Sequence, residues 1–352
     1  MLLSRFVVGM LSVGLMVLSA GVVSGQDYPN KPIPISAFGL IDAHNHLPRG
    51  LTLDLLLQRM DKANVAKTVL MTVYYGGANP RGQGISDENL VLEFYKKRPD
   101  RIIPFLGMQR PVLGQRNAAR WLQPDEAAEK LLAFAESRLR TGFFRGMGEF
   151  ILWHYPYSLP SGAIGGAVNI PADTPLMKRF LDLASKYHVP VLLHYEIDPE
   201  SFPALKRMLD YGRGATVILA HNCGRPDPAT LRALLDEYPN VFCDLGGMTH
   251  NNAYGRVSEP PRPGQWIVKN PIDDGTGHLR PQWRALYEAY ADRFVGIGLD
   301  SAHPEAWANP DHYGSVIAAY RSMLSDLSPG AAEKIGFKNA EKILAPLPLS
   351  GR

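Results

Sequence analysis

The fold of this chain is decided at residues 40–47, which read LIDAHNHL. The stretch is apolar at its start and ends with two histidines that are two positions apart. In an extended strand, residues two apart point to the same face, so His44 and His46 project both imidazoles to one side. Two imidazoles on one face can bind a metal ion, although His-x-His patterns also occur on solvated loops. The meaning of the pair therefore depends on the rest of the chain.

Seven further apolar runs follow along the chain. Each is nearly continuously apolar, as is typical of a strand buried on both faces. Amphipathic segments lie between the runs, and several begin with Pro or Asp, which favour the first positions of a helix. The predicted strands are residues 40–47, 67–75, 101–109, 143–150, 189–196, 216–224, 241–247 and 294–301. This alternation predicts an α/β protein with a single (β/α)8 TIM-like barrel.

Four of the later runs end in a lone polar residue: Glu149, His194, His221 and Asp300. A parallel barrel brings the carboxyl ends of all its strands to one mouth, so four imidazoles and two carboxylates would meet there. A single buried His is more often a hydrogen-bonded core residue than a ligand. Six such residues are hard to explain by packing, because unpaired buried carboxylates are costly. The set suits zinc or a similar divalent ion, bound singly or as two ions that share a bridge.

The order of these motifs resembles the amidohydrolase superfamily, and within it the amidohydrolase-related branch of metal-dependent hydrolases and decarboxylases. The resemblance spans about residues 38–345 and includes GLD at 298–300 and IGFKNA at 335–340. It implies a barrel of the metal-dependent hydrolase type. The residues that would then hold the principal metal are His44, His46, His194 and Asp300.

The same resemblance leaves the roles of two residues open. His221 would either polarise the substrate and shuttle protons or complete a second metal site. Glu149 lies in GEF at 148–150, which resembles the sequence of relatives whose carboxylate bridges two ions. The alternative for Glu149 is a carboxylate held by neighbouring donors such as Arg145.

The predicted activity is hydrolysis of a small amide, lactone or ester. A bound divalent ion lowers the pKa of its water to about 7 and supplies hydroxide as nucleophile. Asp300 is the predicted general base, with His221 as a second catalytic residue. A metal-dependent decarboxylase of a small aromatic or unsaturated acid is the alternative, and a non-catalytic binding protein is a third hypothesis. The predicted cofactor is a divalent metal, with zinc favoured and either one or two ions.

Five residues near the predicted mouth are candidates for substrate binding. Their types suit an anionic or planar group, but surface arginines and aromatic residues that cover a barrel rim explain them equally simply. They are Arg49, Trp153, His154, Arg225 and His303.

Residues 1–25 are predicted to be a signal peptide, because a lone basic residue precedes a short apolar stretch and small residues. An uncleaved membrane anchor is the alternative. Residues 26–352 then form one barrel domain, exported to the periplasm or secreted, without a stable membrane anchor. In an oxidising compartment Cys223 and Cys243 are candidates for a disulfide, although buried reduced thiols in neighbouring strands are the simpler account.

The composition limits the partners of this chain. Its 352 residues are 45% hydrophobic and carry a formal net charge of +3, with no long basic run. That charge pattern excludes the usual surface of a nucleic-acid-binding protein. The predicted partner is a small-molecule substrate, and a homo-oligomer is compatible with the sequence.

Overall fold

The computed structural model describes residues 38–73, 88–155, 157–158, 164–165, 167–249, 270–301 and 304–345. Eight parallel strands in these residues close into a barrel with helices between them, so the predicted (β/α)8 fold is confirmed. The strands are β1 Leu40–Asp42, β2 Val65–Thr72, β3 Ile102–Gly107, β4 Gly146–His154, β5 Val191–Tyr195, β6 Val217–Leu219, β7 Val241–Gly246 and β8 Phe294–Gly298.

The barrel closes through β1, which pairs in parallel with both β2 and β8. Asp42 lies opposite Thr68 on one side and opposite Ile297 on the other. The remaining strands pair in chain order, all in parallel. The carboxyl ends of the strands therefore face one rim, as the site prediction requires.

Helices connect the strands on the outside of the barrel. They are α1 Leu53–Lys62, α2 Glu88–Lys97, α3 Ala118–Leu122, α4 Glu126–Leu139, α5 Pro175–Lys186, α6 Phe202–Tyr211, α7 Pro228–Glu237, α8 Pro281–Ala289, α9 Pro304–Ala308, α10 His312–Ser325, α11 Pro329–Glu333 and α12 Asn339–Ile343. Short 3-10 turns at Pro111–Leu113, Gln115–Asn117 and Ala291–Arg293, and a π-helical turn at Lys334–Lys338, complete the helical segments.

Side-chain caps explain where several of these helices begin. The hydroxyl of Thr52 accepts a hydrogen bond from Leu55 N at the start of α1, and the Asp125 carboxylate accepts one from Ala128 N in α4. Asp227 does the same for the first turn of α7. These contacts satisfy amide groups that have no partner inside the helix, which stabilises the helix start.

The apolar side chains form two layers. One fills the inside of the barrel and includes Ile41, Val69, Ile103, Ile218 and Val295, all buried. The other lies between strands and helices. Since neighbouring residues of a strand point to opposite faces, a strand such as β2 supplies both layers, with Val69 inside and Leu70 outside. The polar residues at the strand ends lie at the carboxyl-end rim of the barrel.

Four short pieces of strand lie beyond the barrel wall among the described residues. His46–Leu47 runs parallel to the end of β2, and Val168–Asn169 pairs antiparallel with the end of β4. Tyr157–Ser158 pairs with Ile164–Gly165 as a separate two-stranded sheet. The first of these pieces matters most for the site, because it fixes the backbone at the second histidine of the opening motif.

The sixth strand is shorter than predicted, and the simpler account of the two cysteines, as reduced thiols in neighbouring strands, is wrong. β6 ends at Leu219, and the chain then makes a left-handed turn over residues 221–225. Cys223 in this turn forms a disulfide with Cys243 of β7, with the two Cα atoms 4.8 Å apart. The turn brings Cys223 to the neighbouring strand, an arrangement that apolar patterning alone does not show.

The predicted signal peptide at residues 1–25 lies outside the described residues. Residues 250–269, between β7 and α8, also lie outside the described residues. Among the helices that the structure describes, none has the length and apolarity needed to span a membrane.

Candidate metal centre

The six predicted ligand residues come together at the rim of the barrel, and they form two groups. In the first, Nε2 of His44 and Nε2 of His46 lie 3.4 and 3.2 Å from Asp300 Oδ1. The same two nitrogens lie 3.6 and 3.7 Å from Glu149 Oε2. Asp300 keeps 20% of its side chain exposed, whereas the other three residues are buried. Asp300 is therefore the member of this group that faces solvent.

The second group contains His194, His221 and the other oxygen of Glu149. His194 Nδ1 lies 3.0 Å and His221 Nε2 lies 3.3 Å from Glu149 Oε1. The two ring nitrogens are 2.8 Å apart. His194 was expected to accompany His44 and His46, but the structure groups it with His221, since β5 and β6 are neighbours. Glu149 thus directs one oxygen to each group.

The residues fit a divalent ion because buried nitrogens of the first group lack partners. Among the described residues, Nε2 of His44 and both ring nitrogens of His46 have no hydrogen-bond partner. A buried polar atom without a partner is costly, and a metal ion would satisfy these nitrogens. Within each group, the candidate ligand atoms all lie within 4.8 Å of one another. Imidazole and carboxylate together are the donor set of divalent transition metals.

The electrostatics of the centre also favour a cation. Burial acts to lower the pKa of His44, but the carboxylates of Asp244, Glu149 and Asp300 outweigh it and raise that pKa well above its usual range. Burial acts to raise the pKa of Glu149, but the surrounding histidines hold it well below its usual range. The cluster thus concentrates buried negative charge that a divalent ion would neutralise.

Asp244, on β7, was not among the predicted site residues. Its Oδ2 lies 3.0 Å from His44 Nδ1, and its Oδ1 accepts hydrogen bonds from His221 N at 3.1 Å and Gly246 N at 2.8 Å. The carboxylate orients His44 so that Nε2 faces the centre. The pattern that predicted the other site residues, a lone polar residue in an apolar run, is also present at Asp244.

Replacing Asp244 with alanine is expected to weaken binding of a divalent ion by about 10- to 100-fold, because His44 loses the partner that fixes its ring. Competition with a chelator measures the affinity. Asp182→Ala is a matched control, since Asp182 lies on α5 and contacts Tyr211. An unchanged affinity in Asp244→Ala would show that His44 does not need this carboxylate.

Two contacts set the state of His221 and His194. His221 Nδ1 lies 2.8 Å from the carbonyl oxygen of Gly246, so Nδ1 carries the proton and the unprotonated Nε2 can bind a metal ion through its lone pair. Burial and the nearby charge of Arg225 lower the pKa of His221, which favours the neutral ring that binds metals. His194 Nε2 lies 3.1 Å from Glu196 Oε1.

Glu196 was also missed, although it follows His194 by two positions and therefore lies on the same face of the strand. It forms a buried ion pair with Arg225. Burial acts to raise the pKa of Glu196, but the charges of Arg225 and His194 lower it to about 2. Glu196 is therefore an anion that orients His194, and Arg225 holds Glu196.

Gln109, just beyond β3, is the third missed residue. Its amide Nε2 donates a hydrogen bond to Glu149 Oε2. Arg145, the predicted alternative partner of Glu149, instead contacts the carbonyl oxygen of Gly142 and the hydroxyl of Tyr95. The side chain of Glu149 is thus held by Gln109 and the histidines.

Asp42 ties the first histidine pair to the end of β8. Its Oδ1 accepts a hydrogen bond from Leu299 N at 3.2 Å, and its Oδ2 accepts bonds from Asn45 and Tyr313. Burial raises the pKa of Asp42 to about 7. The contact with Leu299, the residue before Asp300, connects the two ends of the first ligand group.

The five predicted substrate-binding residues do not form one group: some are buried, one is exposed and one lies outside the described residues. The ring of His154 lies 4.5 Å from that of His194, and burial together with the charge of His194 lowers its pKa to about 3, so it is neutral. Trp153 packs against Tyr195 in the layer between strands and helices. Arg225 is buried in its ion pair with Glu196, so the alternative of a solvated surface arginine is wrong, and its part in substrate binding stays a prediction. Arg49 is exposed on a turn, and His303 lies outside the described residues.

Comparison with known proteins gives one family match and several structural ones. The profile of the amidohydrolase family matches residues 41–345. A search of curated proteins finds no sequence match.

Solved structures resemble the chain at low identity. A dihydroorotase from Saccharomyces cerevisiae in complex with 5-fluoroorotic acid is 15% identical with a TM-score of 0.51, covering 90% of this chain and 86% of its own. An amidohydrolase from Burkholderia multivorans with bound zinc is 15% identical with a TM-score of 0.50, and the match covers 88% of this chain and 100% of that one. The apo form of an IDCase from Metarhizium anisopliae is 15% identical with a TM-score of 0.50, covering 89% and 98%. These similarities show the shared fold.

Proposed function

This chain belongs to the amidohydrolase family, and from that premise we propose that it is a hydrolase that uses two divalent ions, with zinc favoured, to cleave a small amide, lactone or ester. The observation that carries the proposal is the position of Glu149. Its Oε2 faces His44 and His46, and its Oε1 faces His194 and His221. A carboxylate with one oxygen toward each of two imidazole pairs is placed to bridge two ions.

The ligand sets follow from these directions. The first ion would be held by Nε2 of His44, Nε2 of His46, Asp300 and one oxygen of Glu149. The second would be held by His194 Nδ1, His221 Nε2 and the other oxygen of Glu149. In this arrangement His221 would serve as a ligand of the second ion. Divalent ions in such a centre supply an acidified water and polarise a carbonyl oxygen.

Asp300 is the residue of this chain that moves the proton. Burial acts to raise its pKa, but His44 and His46 lower it, so the carboxylate is ionised and able to accept a proton at neutral pH. Its side chain is 20% exposed, whereas that of His44 is buried, which supports contact of Asp300 with a substrate. Asp300 would take the proton of the attacking water and return it to the leaving group of the substrate.

The proposal extends to where the enzyme works. We infer that residues 1–25 are removed and that the enzyme is periplasmic or secreted. The Cys223–Cys243 disulfide supports this inference, because disulfides persist mainly in oxidising compartments. Its substrate would then be a small molecule encountered outside the cytoplasm.

One contact favours the alternative, a metal-dependent decarboxylase. The amide of Gln109 donates to Glu149 Oε2, the oxygen that faces His44 and His46. If this bond keeps Glu149 from bridging, the centre would hold one ion. A single ion, with Glu149 held by another residue, would suit decarboxylation of a small aromatic or unsaturated acid.

The test is the number of ions per chain in the wild type and in Glu149→Ala, measured by elemental analysis of the purified protein. We expect two ions in the wild type and one or none in the variant, because each ion loses a ligand. Glu129→Ala is the matched control, since Glu129 is an exposed glutamate on α4 paired with Arg179. A single ion in both the wild type and Glu149→Ala would exclude the bridge and favour the decarboxylase.

The products distinguish the two reactions directly. A hydrolase incorporates oxygen from labelled water into its product, whereas a decarboxylase releases carbon dioxide without net hydrolysis. A panel of amides, lactones, esters and aromatic acids, assayed with labelled water, therefore tests the reaction independently of the metal count.

A further inference from the structure

The turn that carries His221 has an unusual backbone. The dihedral φ is 57° at His221, 55° at Asn222, 57° at Cys223, 76° at Gly224 and 57° at Arg225. Residues other than glycine adopt this left-handed conformation at a cost and usually one at a time. A succession of such residues next to a functional group persists only where surrounding contacts impose it.

Several non-covalent contacts hold the ends and middle of this turn. Asp244 accepts a hydrogen bond from His221 N, and Tyr287 donates its hydroxyl to Asn222 Oδ1 at 3.0 Å. The carbonyl oxygen of Gly224 accepts a bond from Ile197 N at 2.9 Å. A Cβ at Gly224 would collide with the carbonyl oxygen of Tyr195, so the turn is pressed against β5.

The Cys223–Cys243 disulfide adds a covalent tie from the turn to β7. Both cysteines are fully buried, and they are 20 positions apart in sequence. Cys243 directly precedes Asp244, which contacts His44 Nδ1 and His221 N. The disulfide therefore joins the turn to the strand whose carboxylate touches both ligand groups.

The first ligand group has further supports that do not involve the turn. Ala43 N donates to the carbonyl oxygen of Ile297 at 2.7 Å, and Asp300 N donates to that of His44 at 2.9 Å. These backbone bonds join β1 to β8 and involve neither cysteine. Loss of the disulfide should therefore act mainly on the second group, because the first group keeps these bonds and its contact with Asp244.

We propose that Cys223 and Cys243 are positioning residues for His221: their disulfide holds the left-handed turn so that the His194–His221 half of the centre can bind its ion. The inference rests on the two-ion function proposed above. In the oxidised chain both halves are formed, and in the chain without the disulfide only the His44–His46 half keeps its affinity. An oxidising compartment would then be a condition for the complete centre.

The test compares the oxidised wild type with Cys223→Ala/Cys243→Ala and with Cys223→Gly/Cys243→Ala. Zinc titration with a competing chelator gives the affinity of each ion. In the alanine double variant we expect the second ion to bind about 10- to 100-fold more weakly, the size of effect seen when support of a ligand is lost. The first ion should change by less than about threefold, because the variant removes none of its ligands or their supports.

The glycine variant separates positioning from packing. Both double variants lack the disulfide, but glycine adopts the left-handed region without the penalty that alanine has. The glycine variant should therefore bind the second ion more tightly than the alanine variant. The proposal would be overturned if both variants bound the second ion with the affinity of the wild type. It would also be overturned if the affinities for the first and second ions fell by the same factor.

A metal-free measurement keeps the proposal testable apart from the two-ion function. Nitrogen NMR of the histidines in apo protein reports whether His221 keeps its proton on Nδ1, as its bond to Gly246 requires. In the alanine double variant this signature should be lost for His221 and kept for His44. If the wild type binds only one ion, the two-ion function fails while the NMR result still decides the role of the disulfide.

Folding of the variants is checked by circular dichroism. If the alanine variant does not fold, the wild type is unfolded, reduced and refolded in dithiothreitol, which donates two electrons and two protons to the two sulfurs and itself becomes a cyclic disulfide. Loss of the His221 signature in the folded, reduced protein supports the proposal. Global unfolding of the reduced chain and of both variants would contradict it, because the disulfide would then support the whole barrel.

Discussion

Replacing His44 and His46 together with alanine is expected to abolish binding of the first ion and to lower kcat/KM by about 10³-fold or more. The reason is that the substitution removes both imidazoles of the first group, so that Asp300 and Glu149 remain as carboxylates alone. A divalent ion contributes several kcal/mol to transition-state stabilisation, and each 1.36 kcal/mol corresponds to about tenfold in rate.

The same variant should also change stability in the metal-free state. Without His44, the buried carboxylates of Asp244 and Glu149 lose an imidazole partner. This loss lowers the free energy of unfolding, so the variant should be less stable than the wild type. Metal content, kcat/KM and thermal unfolding are therefore measured together. His278→Ala is the matched control, because His278 is an exposed histidine that contacts Asp326. Unchanged metal content in the His44/His46 double variant would contradict the centre as described.

Replacing Asp300 with asparagine is expected to lower kcat by about 10²- to 10⁴-fold, the usual contribution of a positioned general base. Asparagine keeps the shape of the side chain but cannot accept the proton of the attacking water. The first ion loses an anionic ligand as well, so the assay is performed at zinc concentrations that restore occupancy. Steady-state kinetics and metal content, measured on the same sample, separate the two effects.

The control for this variant is Asp311→Asn, since Asp311 is an exposed aspartate paired with Lys62. A kcat within tenfold of the wild type at full metal occupancy would show that another group accepts the proton. His221 was the other predicted catalytic residue, so His221→Ala would then be the next variant to assay. A loss of the second ion without loss of proton transfer in His221→Ala would fit the ligand role proposed here.

Some site residues could be predicted from sequence and others could not, for a physical reason. His44, Glu149, His194 and Asp300 each end an apolar run, and this local pattern was sufficient to place them at one rim. Asp244 had the same signal and was overlooked. Gln109 showed no distinguishing pattern, because its bond to Glu149 depends on the distance between adjacent strand ends.

The sequence by itself determined the barrel and the composition of its rim. Apolar periodicity is a local property, so eight runs that alternate with amphipathic segments predicted eight strands and the helices between them. Only the tertiary structure decided that His44 and His46 share one oxygen of Glu149 while His194 and His221 share the other. It also decided the left-handed turn and the disulfide at Cys223. Such features depend on closure of the barrel and on the register of neighbouring strands, which bring together residues about 20 to 250 positions apart and leave no local pattern.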